Sequence, residues 1–195
     1  MVEQPVPVTP DDGLADGPAD GWRVEPAPYG HPDVLRLVEE VQAVYVARYG
    51  GPDETPLDPA MFEPPAGSFF VGYLRGRAVA TGAWRRTTAA TLPGLPAGAE
   101  LAEVKRMYVS PTAQRRGLAR RMLAHLEATA AATGVRGMVL ETGIVQPEAI
   151  ALYESAGYVP VPGFGHYRDS PLSRCFGRVL PHAGAIPGAA AADVL

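Results

Sequence analysis

The stretch VSPTAQRRGLARRML (residues 109–123) joins the end of a predicted strand to the start of a predicted helix through a tight turn that carries Gly117. The first N–H groups of a helix have no partner within it and carry partial positive charge, so phosphates bind there. Four arginines surround the turn: Arg115, Arg116, Arg120 and Arg121. The stretch therefore predicts a phosphate-binding turn, although its six central residues on their own fit a solvent-exposed basic helix start equally well.

Outward from this turn, apolar periodicity and glycine or proline stops predict alternating strands and helices. In the central helix, apolar residues recur every four positions and line one face: Leu118, Met122, Leu126 and Ala130. The predicted strands cover residues 22–29, 69–74, 78–85, 99–109, 135–142, 158–162 and 172–180. The predicted helices cover about 33–48, 117–133 and 147–156, and a proline-rich loop covers 52–67. This order predicts an α+β (mixed α/β) fold in which helices pack on a mixed sheet.

The two ends of the chain differ in composition from its centre. Residues 1–21 hold five acidic residues, four of the chain's prolines and no base, which predicts a disordered acidic tail. Residues 181–195 are rich in Ala, Gly and Pro and predict a flexible tail. The predicted domain is therefore 22–180.

Charge and cysteine content narrow the class of protein. The net charge is −4, but the predicted domain holds 17 basic and 15 acidic residues, so its weakly positive body favours an anionic cofactor and not a nucleic acid. The single cysteine, Cys175, excludes an internal disulfide and a multi-cysteine zinc site. No metal-ligand spacing, secretory signal or membrane span is recognisable. We expect a cytoplasmic protein without metal.

Two motifs resemble those of the GNAT acetyltransferases. EVKRMYVSPTAQRRGLARRML is similar to the acetyl-CoA motif of that family, whose defined positions match Gln114, Gly117 and Ala119. LETGIVQPEAIALYESAGY (140–158) is similar to the second signature of the family. Its matching residues are Ala149, Leu152, Tyr153, Gly157 and Tyr158. The resemblance implies a GNAT-like fold, in which a mostly antiparallel central sheet flanked by helices opens a cofactor cleft between two splayed strands, here 99–109 and 135–142.

The resemblance further implies a bacterial N-acetyltransferase that uses acetyl-CoA as co-substrate and a small-molecule or protein amine as acceptor. The backbone of the first splayed strand would bind the pantetheine arm, and N–H groups of the turn would hold the pyrophosphate. The implied cofactor-binding residues are Met107, Tyr108, Val109, Gln114, Arg115, Arg116, Gly117, Leu118, Ala119, Arg120, Gln146, Ala149 and Tyr153. Many members have Asn where this chain has Gln146, whose longer side chain changes the reach of the amide.

Attack of an amine on a thioester needs a base and benefits from an acid. By resemblance Tyr153 is the acid, although a half-buried aromatic packing against the sheet is the structural alternative. Glu103 and, second, Glu141 are the candidate bases, with a salt bridge as the structural alternative for each. Strand alternation predicts one face with Glu103, Lys105 and Met107 and the opposite face with Val104, Arg106 and Tyr108.

The acceptor site is the least determined part of the sequence. Candidate substrate-binding residues are Tyr45, Arg85, Arg106, His166 and Tyr167, each of which also fits a core or turn position. A non-catalytic acyl-CoA-binding sensor or regulatory module is the alternative function, and a nucleotide-phosphate binder of another class ranks lower because its motifs are absent. The sequence leaves the acceptor amine and the oligomeric state, monomer or homodimer, open.

Overall fold

The computed structural model describes residues 20–181. The predicted acidic tail, 1–21, lies outside the described residues apart from Asp20 and Gly21. The predicted C-terminal tail, 181–195, lies outside them apart from Pro181. The boundaries of the domain, 22–180, remain a prediction.

Seven strands and three helices make up the described part of the chain. The strands are β1 (Trp22–Pro26), β2 (Gly67–Leu74), β3 (Arg77–Thr87), β4 (Leu101–Val109), β5 (Gly137–Gly143), β6 (Val159–Pro160) and β7 (Ser173–Val179). The helices are α1 (Pro32–Tyr49), α2 (Leu118–Ala131) and α3 (Pro147–Ser155), with short 3₁₀ turns at Pro59–Phe62 and Pro111–Ala113. The predicted order of elements is confirmed. The first strand and β6 are shorter than predicted, since the prolines at 26, 28, 160 and 162 cannot donate to a sheet.

The strands form one mixed sheet in the order β1-β2-β3-β4-β5-β7-β6, in which only the β4–β5 pair is parallel. This confirms the predicted mixed, mostly antiparallel sheet. The parallel pairing covers only residues 101–103 of β4 against 137–139 of β5. Beyond it, β4 continues to Val109 along β3 and β5 continues to Gly143 along β7. The two central strands therefore part, and a gap opens between their carboxyl ends.

A β-bulge in β4 lies beside this gap. Thr81 pairs with Tyr108 and Ala83 pairs with Lys105, so two residues of β4 face one residue of β3. Arg106 occupies the bulge with φ +52°, and its carbonyl accepts a hydrogen bond from the Thr81 hydroxyl (2.8 Å). A bulge inserts one residue into the alternation and turns the strand.

The bulge makes the predicted alternation of side chains along β4 wrong after Lys105. Met107 packs in the same core cluster as Val104, on the side of the sheet covered by α2. Arg106 instead lines a small pocket together with Lys105, and Tyr108 packs in the cluster beneath α1. Sequence periodicity could not reveal this, since no glycine or proline in β4 marks the extra residue.

Helices cover both faces of the sheet. The predicted apolar face of α2 is confirmed, because Leu118, Met122, Leu126 and Ala130 are all buried. Together with apolar side chains of α3 they pack on one face in the largest core cluster. The buried residues of α1, namely Val34, Leu37, Val38 and Val41, face the other side. This packing fixes the start of α2 and the carboxyl ends of β4 and β5 at one edge of the domain.

Candidate active site

A cavity of about 390 Å³ occupies the gap between the carboxyl ends of β4 and β5. α1 and the loop after it cover one side, and α3 with the loop before β7 covers the other. Of the predicted site residues, those that line the cavity are Tyr45, Arg106, Met107, Glu141, Gln146, Ala149, Tyr153 and Tyr167. The structure therefore brings together side chains from both signature motifs and from α1.

Other predicted site residues lie away from this cavity. Arg85 lines a smaller pocket beside it. His166 packs edge-on against the ring of Tyr167 and is absent from the cavity wall. Tyr108 points to the α1 side, where its hydroxyl lies 3.2 Å from a carboxylate oxygen of Glu40, and burial raises its pKa to about 12.

The turn before α2 has the geometry of a helix start with free donors. Gly117 is its N-cap at φ +74°, and Arg115 is also left-handed at φ +58°. The first bond of the helix runs from the Arg121 N–H to the Gly117 carbonyl, so the N–H groups of residues 118–120 precede the intrahelical ladder. Four residues of the turn, Gln114 to Gly117, are exposed. The arrangement can bind an anion through main-chain donors.

Three side chains around the turn have protein partners. The Gln114 amide donates to the Val109 carbonyl (3.0 Å), and Arg120 donates to the Ser155 hydroxyl (2.6 Å) at the end of α3. Arg121 forms an ion pair with Asp20. Of the four arginines, Arg115 and Arg116 keep exposed side chains at the turn.

Gln146 binds across the mouth of the cavity. Its side-chain amide donates to the Tyr49 hydroxyl (2.8 Å) at the end of α1. Tyr49 lies so close to Gly143 that a Cβ at that glycine would overlap the phenol. The Gln146 amide, which we predicted to contact the coenzyme, therefore binds α1 in this structure. Tyr49 also packs α1 against the end of β5.

Glu103 is buried in a salt-bridge cluster. It is 2% exposed, and its two carboxylate oxygens lie 2.8 Å from Arg85 and 2.6 Å from Lys105. Glu103 therefore forms the salt bridge that the sequence analysis gave as the alternative to a catalytic role. Its partners are Arg85 and Lys105. Its side chain is absent from the cavity wall.

Glu141 and Tyr153 both face the cavity and both have raised pKa values. Burial raises the pKa of the Glu141 carboxyl, opposed by a hydrogen bond from the Ser173 hydroxyl (2.6 Å) and by the charge of Lys105. Burial raises the pKa of the Tyr153 phenol well above its ordinary range. The cavity therefore combines a carboxylate that holds a proton more readily than usual with a phenol that stays protonated at neutral pH.

Asp53 is a site residue that sequence reasoning missed. Its carboxylate pairs with Arg106 and accepts hydrogen bonds from Thr55 (hydroxyl, 2.6 Å) and from the Tyr167 hydroxyl (3.1 Å). Burial alone would raise its pKa, but the bonds from Thr55 and the Arg106 guanidinium hold the pKa at about 2. It joins the loop after α1, the β4 bulge and the loop before β7. No motif marks it, since it lies in the proline-rich loop.

The sequence also matches the Acetyltransferase (GNAT) family over residues 38–158. The chain belongs to this family. A curated relative, the IAA acetyltransferase of Azospirillum brasilense, is 34% identical over 140 residues, which cover 72% of this chain and 86% of the relative. This GNAT protein is therefore an acyltransferase, and its family uses acyl-CoA.

Solved structures share the fold of this GNAT protein. A Klebsiella pneumoniae protein assigned as an acyl-CoA N-acyltransferase superposes with a TM-score of 0.66 and 26% identity, covering 82% of this chain and 97% of its own. A GNAT acetyltransferase of Elizabethkingia anophelis with acetyl-CoA bound superposes with a TM-score of 0.55 and 14% identity, covering 83% and 99%. At that identity the second likeness concerns the fold alone.

Metal clusters and membrane-spanning helices are both absent from residues 20–181. Within that range, no three His, Cys, Asp or Glu side chains are placed to share a metal ion. None of the helices described there is long and apolar enough to cross a bilayer.

Proposed function

We propose that the protein transfers the acetyl group of acetyl-CoA to a primary amine by direct attack, with Glu141 as general base and Tyr153 as general acid. One observation carries the proposal: Glu141 and Tyr153 line the same cavity, at the point where β4 and β5 part. The family supports an acyl-CoA donor, and acetyl is the acyl group that its name and the name of the curated relative indicate.

The coenzyme would enter along the gap between the strands. β4 has no strand partner on its β5 side after Glu103, so the backbone of Met107 and the N–H of Val109 are available to the amides of the pantetheine arm, whereas the Val109 carbonyl already accepts from Gln114. The N–H groups of residues 118–120 and the open turn at Gly117 would hold the pyrophosphate. The thioester would then lie near Tyr153 and Ala149, which line the cavity on its α3 side.

In the chemical step, the amine nitrogen attacks the thioester carbon. The C–N bond forms, the C–S bond breaks, and Glu141 takes the proton that the amine loses. Tyr153 gives its proton to the departing thiolate, so that free CoA thiol and an N-acetyl amide result. A base whose pKa is raised towards neutrality and an acid that stays protonated are suited to these two transfers.

Glu141 is preferred to Glu103 because of its surroundings. The Glu103 carboxylate is enclosed by two cations and does not line the cavity, so it has no path to an amine. In that position its carboxylate neutralises Arg85 of β3 and holds Lys105 in place.

Release of free thiol from acetyl-CoA across an amine panel tests the function. We expect at least one amine to accelerate release, and Glu141→Gln to lower kcat by about 10²–10⁴-fold with an unchanged affinity for CoA. Because the base must be ionised, the rate of the wild type should fall as pH drops through the pKa of Glu141, and the variant should lack that limb. If CoA binds but no amine accelerates release, the protein is the non-catalytic acyl-CoA module instead.

A further inference from the structure

Arg106 is a buried residue of the cavity wall, and one of its donors has no partner among the described residues. The residue is 8% exposed and lines the cavity. One of its terminal nitrogens pairs with Asp53, but its Nε is buried and has no hydrogen-bond partner among the described residues. Buried polar groups are nearly always hydrogen-bonded, so a guanidinium of the cavity wall that keeps an unused donor has the capacity to bind an ordered water or a ligand oxygen.

The ionised side chains around Arg106 include more cations than carboxylates. Three cations, Arg85, Lys105 and Arg106, share two carboxylates, those of Glu103 and Asp53. The pKa of Asp53 is about 2, so its carboxylate is ionised at neutral pH. The cluster therefore carries one net positive charge on the β4 side of the cavity.

The β5 side of the cavity has the opposite character. Glu141 is the acidic side chain there, the Ser173 hydroxyl donates to it, and Ser170 lines the same cavity. Glu54 is the remaining acid of the wall, and its side chain is exposed at the rim. The inner cavity is thus positive towards β4 and negative towards β5, which complements a molecule that carries an anionic group close to its amine.

We infer that the acceptor is a free α-amino acid, whose carboxylate binds Arg106 while its amine faces Glu141. This inference rests on the proposed function, since it names the acceptor of that reaction. A guanidinium binds carboxylate oxygens with directional, charge-assisted hydrogen bonds. Arg106 is then a specificity-determining residue, and the β4 bulge that turns it onto the Lys105 face is what positions it.

Matched acceptors test the inference without any variant. Thiol release from acetyl-CoA is measured with phenylalanine, phenylalaninamide and phenethylamine, and with leucine, leucinamide and isopentylamine, which differ within each set only at the carboxylate. We expect kcat/KM for the better amino acid to exceed that of its amide and its amine by about tenfold or more. In parallel, the N-acetylated amino acid should raise the Tm of the CoA-loaded protein more than the N-acetylated amine does.

Two variants then assign the preference to Arg106. Arg106→Lys keeps the charge and loses the Nε donor, and we expect it to raise KM for the amino acid about tenfold while KM for the matched amine changes little. The control is Arg77→Gln, which removes a positive charge from an exposed side chain of the β2–β3 hairpin. It should leave unchanged the ratio of KM for the amino acid to KM for its matched amine. If Arg106→Lys does not fold, the binding of the two N-acetylated products to the wild type still decides.

Failure of the inference differs from failure of the function. If amides or amines without a carboxylate are turned over as well as the amino acids, the inference is wrong and the acetyltransferase remains. The inference is also wrong if a folded Arg106→Lys variant keeps the wild-type ratio of KM for the amino acid to KM for the matched amine. If no acceptor at all releases thiol, both the function and the inference fail.

Discussion

Asp53→Asn should make the stability of the protein less dependent on acidic pH. The folded-state pKa of Asp53 is about 2, below its ordinary value of 3.8. Because the folded value is the lower one, the ionised carboxylate stabilises the fold above the unfolded pKa, and this contribution is lost as pH falls through the folded pKa. The difference corresponds to about 2 kcal/mol at neutral pH. Solvent screening at the side chain, which is 16% exposed, lowers the expected value to about 1–2 kcal/mol.

Urea unfolding followed by circular dichroism at about pH 7 and about pH 3 measures this effect. The wild type should be more stable than Asp53→Asn by about 1–2 kcal/mol at pH 7, and the gap should shrink by up to about 1 kcal/mol at pH 3. As the control, Glu63→Gln removes a carboxylate from an exposed side chain and should change stability by less than about 0.5 kcal/mol at either pH. A gap that is constant or grows on acidification would refute the role of Asp53 as an ionised partner of Arg106.

The other predictions concern the acid and the core. Tyr153→Phe should lower kcat about tenfold or more without weakening CoA binding, because only the proton donor is lost. Tyr158→Phe is the control and should leave kcat unchanged. Tyr158 is also a buried phenol, with its ring centre 5.8 Å from that of Tyr153, but it does not line the cavity. Equal rates in the two variants would remove Tyr153 from the acid role. Leu126→Ala should cost about 2–5 kcal/mol in urea unfolding, since Leu126 is fully buried; a loss below about 1 kcal/mol would contradict the packing of α2 on the sheet.

Sequence patterns predicted the elements of this fold well because each carries a local signal. The four-residue spacing in α2 and the glycine before it predict both the buried face and the helix start. Pairing along the sheet is different, since it depends on residues far apart in the chain. The early end of the β4–β5 ladder is therefore expected only from the resemblance to a family.

The acceptor side was harder to predict for the same physical reason. The bulge at Arg106 reverses the facing of Met107, and its cause is a pairing with β3 that no local pattern encodes. Asp53 gains its role only when two loops and the β4 bulge meet, and the Gln146 amide binds the Tyr49 hydroxyl across 97 positions of sequence. Glu103 and Glu141 look alike as strand carboxylates in the sequence, and the fold separates them: Glu103 is enclosed by Arg85 and Lys105, whereas Glu141 lines the cavity.

The central claim is that the turn at Gly117 binds the pyrophosphate of the coenzyme. Comparing CoA binding by Gly117→Glu with CoA binding by Gly134→Glu tests it most directly. Both glycines are left-handed (φ +74° and +89°), and a Cβ at either would meet no atom within 4 Å, so the two variants share the same backbone strain. Only Gly117 lies at the turn that would hold the pyrophosphate. Isothermal titration with CoA should show binding close to that of the wild type for Gly134→Glu and a loss of about 100-fold or more for Gly117→Glu. Equal affinity in both variants would contradict the account.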